Sequence, residues 1–468
     1  MDNRFYFGFN TSEERKKRRK AELYSMSEQV STFFWDEAPQ HGLEMREGQQ
    51  DMSFEIVDAL INDQHFAIEA GVGIGKSFGY LVPVLLYSKR MNKPVIIATS
   101  TIALQEQLWR DVHAVMPLLG LNRDVILAKG QTHYLCNKRA DEYMCDPKAD
   151  PPDALKEGIQ QGYEERKDFP EVLPQGIWDK VNVQRFSMKN CGFCEKKCKY
   201  YKVRAALKFT DGVVLCNQDF LTQHLMKLRR GQEGLINAAA DLLVVDEAHN
   251  LDDKVRSATT ERFGQGMLFG MIRSAFYELR SFDQSSVSGE KREAESAIIA
   301  FYNCLKAQVQ KQINEAEQDM RYADRFFFDN NGSAIELLTE MNAAIHNLSS
   351  SIQIYSSMDF RNNRSFAASD DLDAVSESLS ELLDQIDDML IWIEQHGSNT
   401  ELVYCPKNTK EIVSRLYFNG DERTILTSAT LTNATSGSLE EQYSYFISNT
   451  GFPAGDRSCL SEPKPSPY

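Results

Sequence analysis

Three groups of residues in this sequence have the types and spacing that chemistry requires. The first is Ala70-Gly71-Val72-Gly73-Ile74-Gly75-Lys76-Ser77, which follows the strand candidate Phe66-Ala67-Ile68-Glu69-Ala70 and opens a helix. Glycines there let backbone N–H groups converge on a β-phosphate, and the helix N-terminus adds a field that favours an anion. Lys76 would bring charge to the β- and γ-phosphates, and the Ser77 hydroxyl is placed to ligate Mg²⁺. A strict phosphate loop has glycine where Ala70 stands. The second group is Asp246-Glu247-Ala248-His249, which closes the apolar run Leu242-Leu243-Val244-Val245. Open α/β sheets bind ligands at the carboxyl ends of their strands, so these acids can lie beside the loop. Asp246 would hold Mg²⁺, Glu247 would polarise the attacking water as general base, and His249 would couple the site rather than ligate metal. The third group is Cys191, Cys194 and Cys198, a C-x2-C-x3-C run, with Cys136 55 residues upstream. Four thiolates can hold a [4Fe–4S] cluster or a tetrahedral Zn²⁺, and spacing alone does not separate the two. Cys145 competes with Cys136 as the distant ligand. Cys216, Cys304, Cys405 and Cys459 read as ordinary thiols.

The elements that position these groups follow from hydrophobic pattern. Val95-Ile96-Ile97-Ala98-Thr99 and Val125-Ile126-Leu127-Ala128 are further short apolar strands between helical stretches. That alternation predicts an α/β fold with a parallel sheet covered on both faces. Residues 130–210 interrupt it with five of the nine cysteines. Residues 265–400 are helical in pattern. Ile298, Phe301, Leu305, Val309 and Ile313 form one stripe. Leu372, Val375, Leu379, Leu382, Ile386, Met389 and Ile393 form a second, read as one helix of about three heptads. Nine acids and no base accompany it between Asp370 and Glu394. Leu402-Val403-Tyr404 and Arg423-Thr424-Ile425-Leu426-Thr427 resume the β pattern. No tandem repeat is evident.

The chain has 468 residues, enough for about three domains. No apolar run approaches a membrane span, and the polar, charged first twenty residues exclude a signal peptide. The expectations are therefore a cytoplasmic protein, no membrane and a monomer. Net charge is −16, which argues against coating nucleic acid by bulk charge. Residues 180–208 depart from that average with nine Lys/Arg against one Glu, and with Tyr200 and Tyr201 among them. Cations interleaved with rings suit single-stranded DNA, so Lys196, Lys197, Lys199, Tyr200 and Tyr201 are candidate contacts. The block of six cations Arg15–Lys20 reads as a solvated helix end or tail.

In the order of its motifs the sequence resembles superfamily 2 helicases, and specifically the DinG-like and XPD-like iron–sulfur DNA helicases. The phosphate loop and the Asp-Glu-Ala-His box are shared across the superfamily. Four features narrow the likeness. Arg46-Glu47-Gly48-Gln49 resembles the upstream Arg-x-x-Gln element, in which the Gln reads the adenine edge. Ala98 to Leu108 resembles motif Ia, which implies DNA-backbone contacts from Thr101 and Gln105. Lys129-Gly130-Gln131-Thr132-His133-Tyr134-Leu135-Cys136 resembles the segment leading to the first cluster cysteine, although the family more often has Asn where His133 stands. Its Tyr-Leu-Cys context favours Cys136 over Cys145, and the family position favours [4Fe–4S] over zinc. Ile425 to Leu431 resembles motif III, in which Ser428 and Thr430 link nucleotide to DNA.

The resemblance implies a RecA-like motor domain with two insertions. The expected segments are a basic N-terminal one (1–30), the motor's first part (31–130), a cysteine-rich iron–sulfur domain (131–210), the motor's second part with the DEAH box (211–264), a mostly helical Arch domain (265–400) and the motor's third part with motif III (401–460). Residues 461–468, ending in Ser466-Pro467-Tyr468, resemble the start of a linker to a second motor domain that this sequence lacks. The implied activity is an ATP-dependent, Mg²⁺-requiring DNA helicase, moving 5′ to 3′ on single-stranded or forked DNA in repair, and weak or inactive as this portion alone. Two other readings stand: a non-catalytic single-stranded-DNA or partner-binding module, and a zinc-bearing P-loop ATPase unrelated to DNA.

Overall fold

The computed structural model describes residues 12–44, 46–170, 173–184, 198–279, 281–316, 323–330, 332–357, 367–397 and 399–466. Its strands, in chain order, are β1 (His65–Glu69), β2 (Val95–Thr99), β3 (Val125–Leu127), β4 (Val213–Asn217), β5 (Leu242–Asp246), β6 (Glu261–Gly264), β7 (Arg325–Phe327), β8 (Met389–His396), β9 (Asn399–Pro406), β10 (Arg423–Ser428) and β11 (Ser458–Leu460). The chain divides into two compact units. One joins Met1–Ala258 to Thr409–Tyr468, and the other is Thr259–Asn408.

The first unit is built on a seven-stranded, all-parallel sheet in the order β11-β1-β10-β5-β2-β4-β3. Its strands are continuous apolar runs because both faces are covered. Alternate residues enter different cores. Phe66, Ile68, Val95, Ile97, Leu242 and Val244 pack into one. Ala67, Ile96, Ala98, Leu243, Val245 and Leu426 pack into the other. The sheet is the α/β, RecA-like architecture expected. The phosphate-loop strand β1 and the DEAH strand β5 are separated only by β10, which carries the motif III residues. The register sets Glu69 beside Ser428 and Thr427 beside Asp246, so all three motifs end at one edge.

Of the two readings of the N-terminal cations, helix end or tail, the first agrees with the structure. The cations lie on the helix Ser12–Thr32, whose Leu23, Met26 and Val30 are buried in the first core. Arg19 donates to the Tyr87 hydroxyl at 2.9 Å.

The second unit combines the helices Gln265–Glu278, Ser288–Glu315, Gly332–Ser357 and Ala367–Asp384 with an antiparallel sheet in the order β6-β9-β8-β7. Ile298, Phe301, Leu305 and Val309 are buried along one helix, as their spacing predicts. The long acidic stripe is only partly helical. Leu372, Val375, Leu379 and Leu382 line the helix Ala367–Asp384, but Ile386 lies in a 3₁₀ turn, and Met389 and Ile393 lie in β8. Positions 389 and 393 are an even number apart, so together with Ile391 they also fit the inward face of a strand. Met389, Ile391 and Ile393 all join that unit's core. Leu402-Val403-Tyr404 is a strand as expected, but in β9 it pairs with β6 and β8 in this second sheet rather than in the parallel one.

Candidate functional site

Each functional side chain is set by a local backbone feature. The phosphate loop leaves β1 at Ala70, whose N–H donates to the Ser428 carbonyl at 2.8 Å and whose methyl is buried in the core. Ala therefore serves where glycine is customary. Gly73 and Gly75 have φ of +90° and +88°, a region in which a Cβ is disfavoured. Gly71 is needed for closeness instead, since a Cβ there would lie 2.6 Å from the Ser466 nitrogen. Lys76 and Ser77 then open the helix Lys76–Met91.

The upstream element closes on this loop. Arg46 donates to the Gly73 carbonyl, and Gln49 Nε2 donates to the Gly75 carbonyl at 3.0 Å. Gln49 Oε1 is buried with no partner. An orphaned acceptor beside a phosphate loop fits a ligand N–H such as the exocyclic amine of adenine.

On the other side, Lys76 Nζ lies 3.0 Å from Glu247 Oε1. Glu247 Oε2 accepts from the Ser428 hydroxyl at 3.3 Å and lies 3.3 Å from His249 Nδ1. His249 Nδ1 and Ser428 Oγ are 2.6 Å apart, and Thr430 N–H donates to Ser428 Oγ at 3.3 Å. The phosphate loop, the DEAH box and motif III thus form one connected polar string. Glu247 holds a left-handed backbone, φ +56°, which is unfavourable for a side chain that size. Asp246 is enclosed beneath. Burial pushes its carboxyl up to about 6; nearby Lys76 acts downward and Glu247 upward. Tyr80 donates to it at 3.4 Å, and the Glu247 N–H donates to it at 3.0 Å. A half-buried carboxylate that burial raises despite nearby Lys76 fits a divalent cation, which would hold it ionised.

Sequence reasoning missed Gln218. This fully buried residue opens the helix Gln218–Arg229, and its Nε2 donates to the carbonyls of Asp246 at 2.7 Å and Glu247 at 3.1 Å. It fixes the strained turn that aims Glu247. A buried polar residue directly after a β-strand was the available signal.

Thr101 caps the helix Ile102–Leu118, accepting from Leu104 N–H at 3.2 Å, and stands exposed. Gln105 does not share that exposure. It is fully buried, and its Nε2 donates to the carbonyls of Ala128 (2.7 Å) and Leu215 (2.9 Å). The expected DNA contact is therefore corrected to a brace between helix and sheet edge: one turn beyond the cap, position 105 faces inward.

In the cysteine-rich segment, Cys136 and Cys198 meet in one small apolar cluster with Tyr134, Val183 and Tyr200. Each immediately precedes a helix, Asn137–Cys145 and Lys199–Phe209. Cys145 lies at the far end of its helix and is exposed. Cys191, Cys194, Lys196 and Lys197 lie outside the described residues. Among the described residues no group of three or more His, Cys, Asp or Glu could hold a metal ion. Tyr200 is not a surface ring. It is buried with its centroid 5.1 Å from that of Tyr134, because the first turn of its helix carries it inward. Tyr201 is half-buried.

Lys199 is ion-paired to Glu165 at 2.8 Å, and this pair belongs to a chain of charges. The buried Lys129 reaches Glu165 at 2.9 Å and Glu106 at 2.8 Å, and Lys167 reaches Glu106 at 2.9 Å. Burial alone would raise Glu106, but hydrogen bonds from Lys129 and Lys167 hold it at about 2. Burial likewise opposes, and the bonds from Lys199 and Lys129 outweigh it, at Glu165, whose carboxyl is lowered. These ions fasten the cysteine-rich segment to the motif Ia helix.

Sheet order, phosphate loop and the acids at the end of β5 define an α/β domain of RecA-like architecture with a candidate nucleotide site. Comparison with known proteins carries this further. The DEAD_2 family model matches residues 132–266. The chain is 24% identical over 439 residues to the probable ATP-dependent helicase YpvA of Bacillus subtilis, covering 87% of this chain and 64% of that protein. It is 30% identical over 242 residues to the ATP-dependent helicase DinG of Mycobacterium tuberculosis (45% of this chain, 35% of that one). It is 30% identical over 240 residues to the ATP-dependent DNA helicase YoaA of Escherichia coli (48% and 36%). The chain is thus similar in sequence to these helicases, and it spans about one third to just under two thirds of their length. No described helix is long and apolar enough to cross a membrane.

Proposed function

We propose that this chain is the ATP-binding and DNA-engaging portion of a DinG-type DNA helicase, working on single-stranded or forked DNA in the 5′ to 3′ direction. The observation that carries the reading is the polar string Lys76–Glu247–His249–Ser428, which joins the phosphate loop to the motif III segment. Arg46 and Gln49 would seat adenine, and the N–H groups of Gly73 and Gly75 would face the phosphates, while Gly71, whose N–H donates to the Lys464 carbonyl at 2.9 Å, would shape the loop. Lys76 would leave Glu247 for the γ-phosphate, which frees Glu247 to take the proton of the attacking water. Ser77 and Asp246 would hold Mg²⁺, which supplies neutralising charge between the β- and γ-phosphates. Ser428 and His249 lose a carboxylate oxygen in that exchange, and Thr430 carries the change to DNA. Thr101 would bind a DNA phosphate; Lys199 and Tyr201 would line the strand's path, with Lys196 and Lys197.

In this reading Cys136, Cys191, Cys194 and Cys198 would hold a [4Fe–4S] cluster that staples the small basic domain, and the second unit would be the Arch domain. The cell compartment would be the cytoplasm, with the chain a monomer. Nucleotide titration of the purified chain tests the core of the proposal. Lys76→Ala should lose affinity for a non-hydrolysable ATP analogue by about tenfold or more, since a charged contact is removed. Glu247→Gln should keep that affinity while lowering any DNA-stimulated turnover by about 10²-fold or more. Unchanged nucleotide binding by Lys76→Ala would sink the proposal in favour of a non-catalytic binding module.

A further inference from the structure

Glu69 is the last residue of β1, directly before the phosphate loop. Its carboxylate Oε2 accepts three hydrogen bonds from the segment that leaves β10. The donors are Leu431 N–H at 2.5 Å, Thr432 N–H at 2.6 Å and the Thr432 hydroxyl at 2.9 Å. Its backbone is equally committed. Glu69 N–H donates to the Tyr443 hydroxyl at 2.8 Å, and that hydroxyl donates to the Ser461 carbonyl at 3.0 Å. The Glu69 carbonyl accepts from Lys464 N–H at 2.9 Å.

Besides the backbone bond from Ala70 N–H to the Ser428 carbonyl, two side-chain connections run between the phosphate loop and the motif III segment. One passes through Lys76, Glu247, His249 and Ser428. Each member of it must change partner when phosphate, cation and water enter. The other passes through Glu69 alone, and its three charge-assisted bonds involve none of the groups assigned to the nucleotide. A movement at Ser428 is transmitted only if the segment beyond it is held somewhere; otherwise the loop absorbs it.

We propose that Glu69 is a positioning residue that anchors residues 431–432 to the base of the phosphate loop, so that Thr430 turns about a fixed point when Ser428 changes partner. This deepens the helicase reading and rests on it. The quantity Glu69 sets is the coupling between nucleotide and DNA, which must be equal whichever ligand is added first.

The test uses the whole chain, a fluorescent oligo-dT strand and a non-hydrolysable ATP analogue. DNA affinity is measured with and without nucleotide, and nucleotide affinity with and without DNA. The wild-type chain should show the same coupling factor, about fivefold or more, from both directions. Glu69→Ala should bring the factor to within about twofold of unity while leaving each single-ligand affinity within about threefold of wild type. Thr432→Val keeps the two backbone bonds and should give an intermediate factor. Wild-type coupling in folded Glu69→Ala overturns the inference. So does a parallel fall of both single-ligand affinities with the melting temperature, which marks a merely structural residue. If Glu69→Ala fails to fold, wild-type coupling in Thr432→Val overturns it instead. A wild-type chain that binds no nucleotide sinks the helicase reading, whereas one that binds both ligands without coupling sinks only the role of Glu69.

Discussion

Two ion-paired regions of the parallel-sheet unit are built from the same residue types to opposite effect. At the nucleotide site Lys76 and Glu247 pair at 3.0 Å with side chains 15% and 23% exposed. In the cysteine-rich segment Lys129 and Glu165 pair at 2.9 Å with side chains 3% and 9% exposed. The first pair has water at hand and loose additional partners, so a ligand can replace either member. The second has no such access, and each carboxylate is shared with another lysine. One pair is arranged to be exchanged and the other to persist. Burial separates a working ion pair from a fastening one better than distance does.

The largest expected effect tests that contrast directly. Lys129→Met leaves Glu106 to Lys167 and Glu165 to Lys199 without their common buried cation and should destabilise the protein by about 2–3 kcal/mol. Lys76→Met removes a partly exposed partner and should cost about 1 kcal/mol or less in the absence of nucleotide. Urea unfolding of both variants decides the matter, and equal losses would break the comparison.

A smaller effect concerns pH. His65 and His224 are buried and neutral. Burial, then the charges of Arg423 and Arg457, push His65 down to about 4. Burial, then Arg204 and Arg229, do the same to His224, again to about 4. Each Nδ1 accepts backbone N–H groups: His65 from Thr424, His224 from Leu235 and Ile236. The unfolded chain takes up these protons first, so the stabilisation is complete above pH 6.5 and is lost as pH falls towards 4. The slope should approach about 1.4 kcal/mol per pH unit for each histidine. Glu106, held at about 2, contributes above its ordinary 4.5 and loses that contribution only between 4.5 and 2. The sheet core should therefore weaken before the cysteine-rich docking does. His65→Asn, whose side-chain oxygen can still accept from Thr424, should flatten the upper window, as read by denaturant midpoints across pH.

The geometry of the candidate nucleotide site was legible in the sequence because its requirements are local. Gly73 and Gly75 are demanded by their φ values, and Asp246 by its place at the end of a buried strand. The rest depended on facing and pairing, which spacing does not carry. Met389 and Ile393 satisfy a helical period and a strand period alike, so only the pairing of β8 with β9 settles them. Gln105 and Tyr200 have types suited to DNA but sit on the inward turns of their helices. Lys129 stood within a recognised motif, yet its role comes from Glu106 and Glu165, which lie 23 and 36 residues away.

The left-handed turn at Glu247 has a consequence of a different kind. A side chain in that conformation costs the fold about 1 kcal/mol, and glycine would not incur it. Glu247→Gly should accordingly melt at the same or a slightly higher temperature while lowering any turnover the chain shows. On the proposed reading, the residue that best suits the turn and the residue that best suits the chemistry differ at this position, and the chain carries the second.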